Sequence, residues 1–154
     1  MDLVDILSAD AVRLTGGVGS KKNLFQNIAQ LMESEYSLPS AVALQALLER
    51  EALGATGVGR GVALPHARLD NLDRIVGCFF RLDKAIDFDA VDRQPVDLVF
   101  ALFAPQDSGV GHLKALATVS RTLRDPGVCA KLRCNNEAPT LFEVLLEGPA
   151  SQAA

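Results

Sequence analysis

The chain has 154 residues, of which 49% are hydrophobic and 22% charged, and a formal net charge of −4. This length suits one domain able to bury roughly two thirds of its unfolded surface, and the balance is that of an ordinary soluble globular protein, neither disordered nor fibrous. An acidic chain with scattered basic residues is a poor general nucleic-acid binder, and its longest apolar run, Leu98–Ala104, falls far short of the ~20 residues a membrane-spanning helix needs.

Residues 1–9 are expected to make a short helical turn and Val12–Thr15 a short strand, ahead of the turn Gly16-Gly17-Val18-Gly19. Ser20 is placed to cap a helix over 21–35, because Leu24, Ile28, Leu31 and Met32 recur at helical spacing. Ser37-Leu38-Pro39 separates it from a second helix over 40–53, with Val42, Ala43, Ala46, Leu47 and Leu53 on its apolar side and Gly54 as its stop.

The stretch Gly54–Arg68 reads GATGVGRGVALPHAR. Its glycines permit close backbone approach, and Pro65 biases Leu64 towards extended geometry, so His66 is mounted rigidly at the end of a short strand, Val62–Leu64. Ile75–Leu82 and Val96–Phe103 are near-continuous apolar runs that suit strands covered on both faces. Their connection, Asp83–Pro95, fits either a hairpin or an irregular loop. A helix over 111–124 follows the Pro105–Gly109 loop, with Leu113, Leu116, Ala117, Ser120 and Leu123 inward. Asp125-Pro126 reads as an N-cap and a first-turn proline opening a helix to Arg133. A last helix covers 140–147, and the tail from 148 or 149 to 154 is expected to fray. The expected architecture is an α/β single-domain sandwich, a mixed central β-sheet flanked by helices over 1–148. Cys78, Cys129 and Cys134 are odd in number and lack CxxC spacing, which reads as buried thiols rather than a disulfide framework.

The glycine cluster does not close either nucleotide-binding motif. Gly54–Gly59 is followed by Arg60-Gly61 instead of the Gly-Lys of a P-loop, and after Gly57 and Gly59 the third glycine arrives one residue early for GxGxxG. His66 and His112 are too few for a zinc site without partners of metal spacing, and no GxSxG presents a serine nucleophile. What remains is a histidine able to attack phosphorus in its neutral form, with Arg50, Arg60, Arg68 and His112 as candidates to meet phosphoryl charge. The residues alone leave open that His66 is structural or solvated and that His112 is an exposed residue at a helix start.

Leu53-Gly54-Ala55-Thr56-Gly57-Val58-Gly59, then Gly61-Val62-Ala63-Leu64-Pro65-His66, and Gln94-Pro95-Val96-Asp97-Leu98 resemble the signature of the fructose/mannitol-type IIA domains of the bacterial phosphotransferase system. The resemblance implies that His66 is transiently phosphorylated on Nε2, that Arg50 neutralises phosphoryl charge, and that His112 hydrogen-bonds the phosphoryl group. It departs from the pattern at Ala67-Arg68, where many relatives have Gly-Lys, and at Arg60, where sugar-type relatives often carry an acidic residue. The LGATGVG and QPVDLVFALFAP segments look most like the stand-alone nitrogen-related branch. That implies a cytoplasmic phosphoryl carrier without metal or soluble cofactor, its donor a histidine phosphocarrier protein and its targets regulated proteins. A sugar-transport component passing phosphate to a IIB domain is the alternative, and a pure interaction module the third reading.

Overall fold

The computed structural model describes residues 2–70 and 72–149; the expected turn at residue 1 and the tail beyond residue 149 lie outside them. A 3-10 turn at Leu3–Asp5 precedes strand β1 (Leu7–Thr15). Helices α1 (Lys21–Tyr36) and α2 (Ser40–Ala52) follow, then β2 (Gly57–Gly59), β3 (Val62–Ala63), β4 (His66–Leu69), β5 (Val76–Ile86) and β6 (Val96–Pro105), and finally α3 (Val110–Arg124), α4 (Pro126–Cys134) and α5 (Ala138–Glu147). The six strands form one mixed sheet in the order β1-β5-β6-β3-β2, with β4 also paired to β6. α1 and α2 pack on each other and on β1, β5 and β4, while α3, α4 and α5 form a second group against β6 and β1. This is the expected α/β sandwich, and β5 and β6 run through its core with Cys78, Phe79, Leu98 and Val99 wholly buried.

Local signals act where they were read. Ser20 accepts from the Asn23 amide at 3.1 Å and Asp125 from the Val128 amide at 3.0 Å, each satisfying an orphan donor of the helix it starts. Arg81, 8% exposed, reaches from β5 to the other end of α4, where it donates to the carbonyls of Leu132, Arg133 and Asn135 and to Asn136 Oδ1. A cation there meets the negative end of the helix.

Several expectations are corrected. β1 begins at Leu7, inside the stretch read as a helical turn, because it pairs in parallel with β5 from Leu7↔Gly77 through a bulge to Val12↔Phe79. Tyr36 fills the gap that the bulge opens: its hydroxyl donates to the Gly77 carbonyl at 2.8 Å and accepts from the Ser8 amide at 3.2 Å. The glycine stretch contains a hairpin, β2–β3, which turns at Gly59-Arg60-Gly61 with all three at positive φ. Gly57 permits its packing, since a Cβ there would lie 2.8 Å from that of Ala90. β5 continues through Asp83–Ile86, and the rest of the connection to antiparallel β6 takes an irregular path that buries Phe88 edge-on against Phe25.

On α2, Ala43 and Leu47 are buried, while Val42 and Leu53 face solvent. On α3 the buried stripe is His112, Ala115, Val119, Thr122 and Leu123, and Leu113 is 64% exposed. The helix is rotated about one residue from the apolar face predicted for it, so it buries a histidine. Cys78 and Cys129 are buried as expected, but Cys134 is exposed at the end of α4.

Tyr36→Phe removes both partners from the bulge and leaves the Ser8 amide and Gly77 carbonyl short of a bond. The expected cost is about 1–3 kcal/mol, measured as a lower urea midpoint with an unchanged slope.

Candidate functional site

The edge of β6 places the site. β3 and β4 lie along it in succession, Val62 opposite Leu98 and His66 opposite Leu102. Between them the chain passes through Leu64-Pro65, where proline lacks the N–H that a continuous ladder needs. The Pro65 carbonyl still accepts from the Leu102 amide at 2.9 Å. β4 then alternates, with Ala67 and Leu69 buried, so His66 and Arg68 share the opposite side.

His66 is half-buried, and its Nδ1 lies 2.8 Å from the Leu64 carbonyl oxygen. A carbonyl only accepts, so the neutral ring carries its proton on Nδ1 and its lone pair on Nε2. The Leu64 amide in turn donates to the Thr56 carbonyl at 2.9 Å. Thr56 is anchored by Glu51, whose carboxylate accepts from the Thr56 amide at 3.0 Å and hydroxyl at 2.7 Å. Lys21 closes the chain, with Nζ 2.9 Å from Glu51 and 3.3 Å from Asp89. Glu51 and Thr56 are supporting residues not singled out in the sequence; the signal was there in a carboxylate directly after Arg50 and a threonine among glycines.

Arg50, in the last turn of α2, holds the Gly54 carbonyl at 3.0 Å through Nη1. His112, in the first turn of α3, is only 5% exposed, so the alternative of a solvent-exposed helix start is excluded. Its ring meets that of His66 in a T-shaped contact, centroids 5.5 Å apart. Arg68 Nε donates to His112 Nδ1 at 3.0 Å, and its Nη1 approaches the Gln106 carbonyl at 3.4 Å. The buried Nε2 of His112 has no hydrogen-bond partner among the described residues.

Arg60 belongs elsewhere. Its amide donates to Asp92 at 2.9 Å, and its carbonyl accepts from Arg133, which also forms an ion pair with Asp97. The hairpin turn thus ties Arg60 to the β5–β6 connection and α4, and Arg68 is the arginine brought to the histidines.

Burial lowers the pKa of His66, and Arg50 lowers it further, against the raising effects of the Leu64 carbonyl and Glu51. Burial, then His66 and Arg68, hold His112 down at about 4. Two neutral imidazoles in contact between two arginines therefore offer nitrogen lone pairs and N–H donors in a cationic surround. Among the described residues, no group of three or more His, Cys, Asp or Glu could hold a metal ion, and no helix is long and apolar enough to cross a membrane.

The family described as phosphoenolpyruvate-dependent sugar phosphotransferase system, EIIA 2, matches residues 5–147. A nitrogen regulatory protein of Bradyrhizobium diazoefficiens is 42% identical over 99% of this chain and 100% of its own length. The crystal structure of the nitrogen regulatory protein IIA-Ntr from Neisseria meningitidis superposes with a TM-score of 0.86 at 34% identity, covering 94% of this chain and 99% of that one. The mannitol IIA of Escherichia coli shares the fold with a TM-score of 0.74 at 19% identity, over 90% of this chain and 97% of its own.

A histidine held neutral by burial makes folding pH-dependent. The unfolded ring binds a proton below its ordinary value near 6.5 and the folded ring only below about 4, so the His112 contribution is complete above the first value and lost as pH falls towards the second. Between about pH 7.5 and about pH 5 this amounts to on the order of 2 kcal/mol. Urea unfolding at both pH values should show a smaller difference for His112→Gln than for wild type.

Proposed function

Because this chain belongs to the EIIA 2 family of the phosphoenolpyruvate-dependent sugar phosphotransferase system, we propose that it carries phosphate on His66, accepts it from a histidine phosphocarrier protein, and regulates partner proteins according to its phosphorylation state. The observation that carries this reading is the Leu64 carbonyl on His66 Nδ1, because it leaves Nε2 as the nucleophile. Nε2 forms its bond to phosphorus as the bond from phosphorus to the donor's imidazole breaks, and that donor nitrogen keeps the electron pair. The Nδ1 proton stays against the Leu64 carbonyl throughout. Arg50 offsets the phosphoryl charge, and His112 turns its buried Nε2 to the equatorial oxygens, the work that phosphoryl transfer asks of a protein.

Support for a protein donor comes from the rim. Leu53, 85% exposed, follows Arg50 at the end of α2, and Val110 and Leu113 flank His112, both 64% exposed. Large exposed apolar side chains around a polar centre suit docking of another protein. Identity to a nitrogen regulatory protein of 42% over 99% of the chain, against 41% over 68% of it for a fructose-specific EIIA component of Haloferax volcanii, supports the regulatory branch over sugar transport, and the reading includes a cytoplasmic location beside its cascade. Phosphate on His66 adds up to about two negative charges to this surface and so changes which partners it holds.

Incubation with phosphoenolpyruvate, the general cascade enzyme and the phosphocarrier protein should add one acid-labile phosphate to the wild-type chain and none to His66→Ala; equal uptake by the variant overturns the assignment. Arg50→Ala should slow uptake by about tenfold or more. An unchanged rate would remove Arg50 from the transfer.

A further inference from the structure

We propose that Arg68 is a positioning residue that holds His112 in the tautomer with its proton on Nε2. A guanidinium has donors only and stays charged, so the Arg68 Nε–H at 3.0 Å is met only by a lone pair on His112 Nδ1. A neutral imidazole has one lone pair and one N–H, and the lone pair at Nδ1 puts the proton on Nε2. That nitrogen is buried and has no partner among the described residues, so Arg68 is the group that selects the tautomer.

The selection is geometric. The two-residue period of β4 sets Arg68 on the same side as His66, and the rotation of α3 turns His112 inward to meet both. Nε lies partway along the arginine side chain, which lets it serve His112 while Nη1 approaches the Gln106 carbonyl at 3.4 Å on the loop after β6. A protonated His112 would oppose its Nδ1–H to the Arg68 donor, and the depressed pKa of that ring fits its neutral state.

The contacting rings are thereby held in opposite tautomers. The Leu64 carbonyl keeps the proton of His66 on Nδ1, leaving its Nε2 a lone pair, whereas Arg68 makes His112 Nε2 a donor. A donor is what the oxygens of a phosphoryl group on His66 require, whereas the other tautomer would aim a lone pair at anionic oxygen. This consequence for transfer rests on the phosphoryl-carrier reading; the tautomer itself does not.

The test is long-range ¹H–¹⁵N correlation of both histidine rings in the full-length chain, above the ordinary imidazole pKa. Wild type should show His112 protonated at Nε2 and His66 at Nδ1. In Arg68→Met the His112 tautomer ratio should move towards Nδ1–H by roughly tenfold, the bias one charge-assisted hydrogen bond supplies, and the rate of phosphate uptake should fall without a change in half-saturating donor. A purely structural tie to Gln106 would alter stability but not the tautomer. A wild-type His112 protonated on Nδ1, or an unchanged ratio in the variant, overturns the inference. Arg68→Ala supplies the ratio should the methionine variant not fold. If wild type takes no phosphate at all, the carrier reading falls while the tautomer spectra still decide the role of Arg68.

Discussion

The Leu64 backbone is what the site depends on. Its N–H, in the peptide group shared with Ala63, is held by the Thr56 carbonyl, and its C=O, in the peptide group shared with Pro65, holds His66 Nδ1, so two planar groups joined at the Leu64 Cα transmit the position of the glycine stretch to the imidazole. Behind it, Glu51 is a largely buried carboxylate, with its side chain 8% exposed. A buried charge is tolerable only when paired and hydrogen-bonded, and Lys21 together with the Thr56 amide and hydroxyl supplies this. The conformation of residues 54–64 is thereby tied to both α1 and α2.

The second constraint is the edge of β6. It receives β3 and β4 as two pieces of one path in a single register, Val62 opposite Leu98 and His66 opposite Leu102, and the two-residue period of β4 makes His66 and Arg68 face the same way. α3 meets that side with His112. Burying the histidine in place of Leu113 costs desolvation, which the Arg68 bond offsets, and it leaves Leu113 and Val110 on the rim. One rotation of one helix thus accounts for both the polar centre and part of its apolar surround.

Electrostatics binds these parts together. Arg50 and Arg68 are cations placed where they disfavour imidazolium and favour incoming anionic charge, and burial acts in the same direction on both rings. A neutral ring with its lone pair free is a competent nucleophile, and the phosphoryl group proposed for it would be favoured by the same cationic surround. Arg60 stands outside this arrangement because the hairpin turn commits its backbone to Asp92 and Arg133.

The sequence by itself determined the features that short-range physics controls. Helical spacing and the caps at Ser20 and Asp125 located α1 and α4, continuous apolar runs located β5 and β6, and the Gly54–His66 pattern with Arg50 and His112 pointed to the family and the candidate site. Only the tertiary structure decided matters of register and rotation. β1 starts early because the bulge pairs it with β5 around the Tyr36 hydroxyl, β4 exists because β6 has an edge to offer four residues, and Cys134 is exposed because only α4 packing distinguishes it from Cys129. His112 is buried and Leu113 exposed, and Arg68 rather than Arg60 joins the histidines, because these choices depend on contacts between residues dozens of positions apart. No local periodicity contains that information; it arises when the sheet and α3 close on each other.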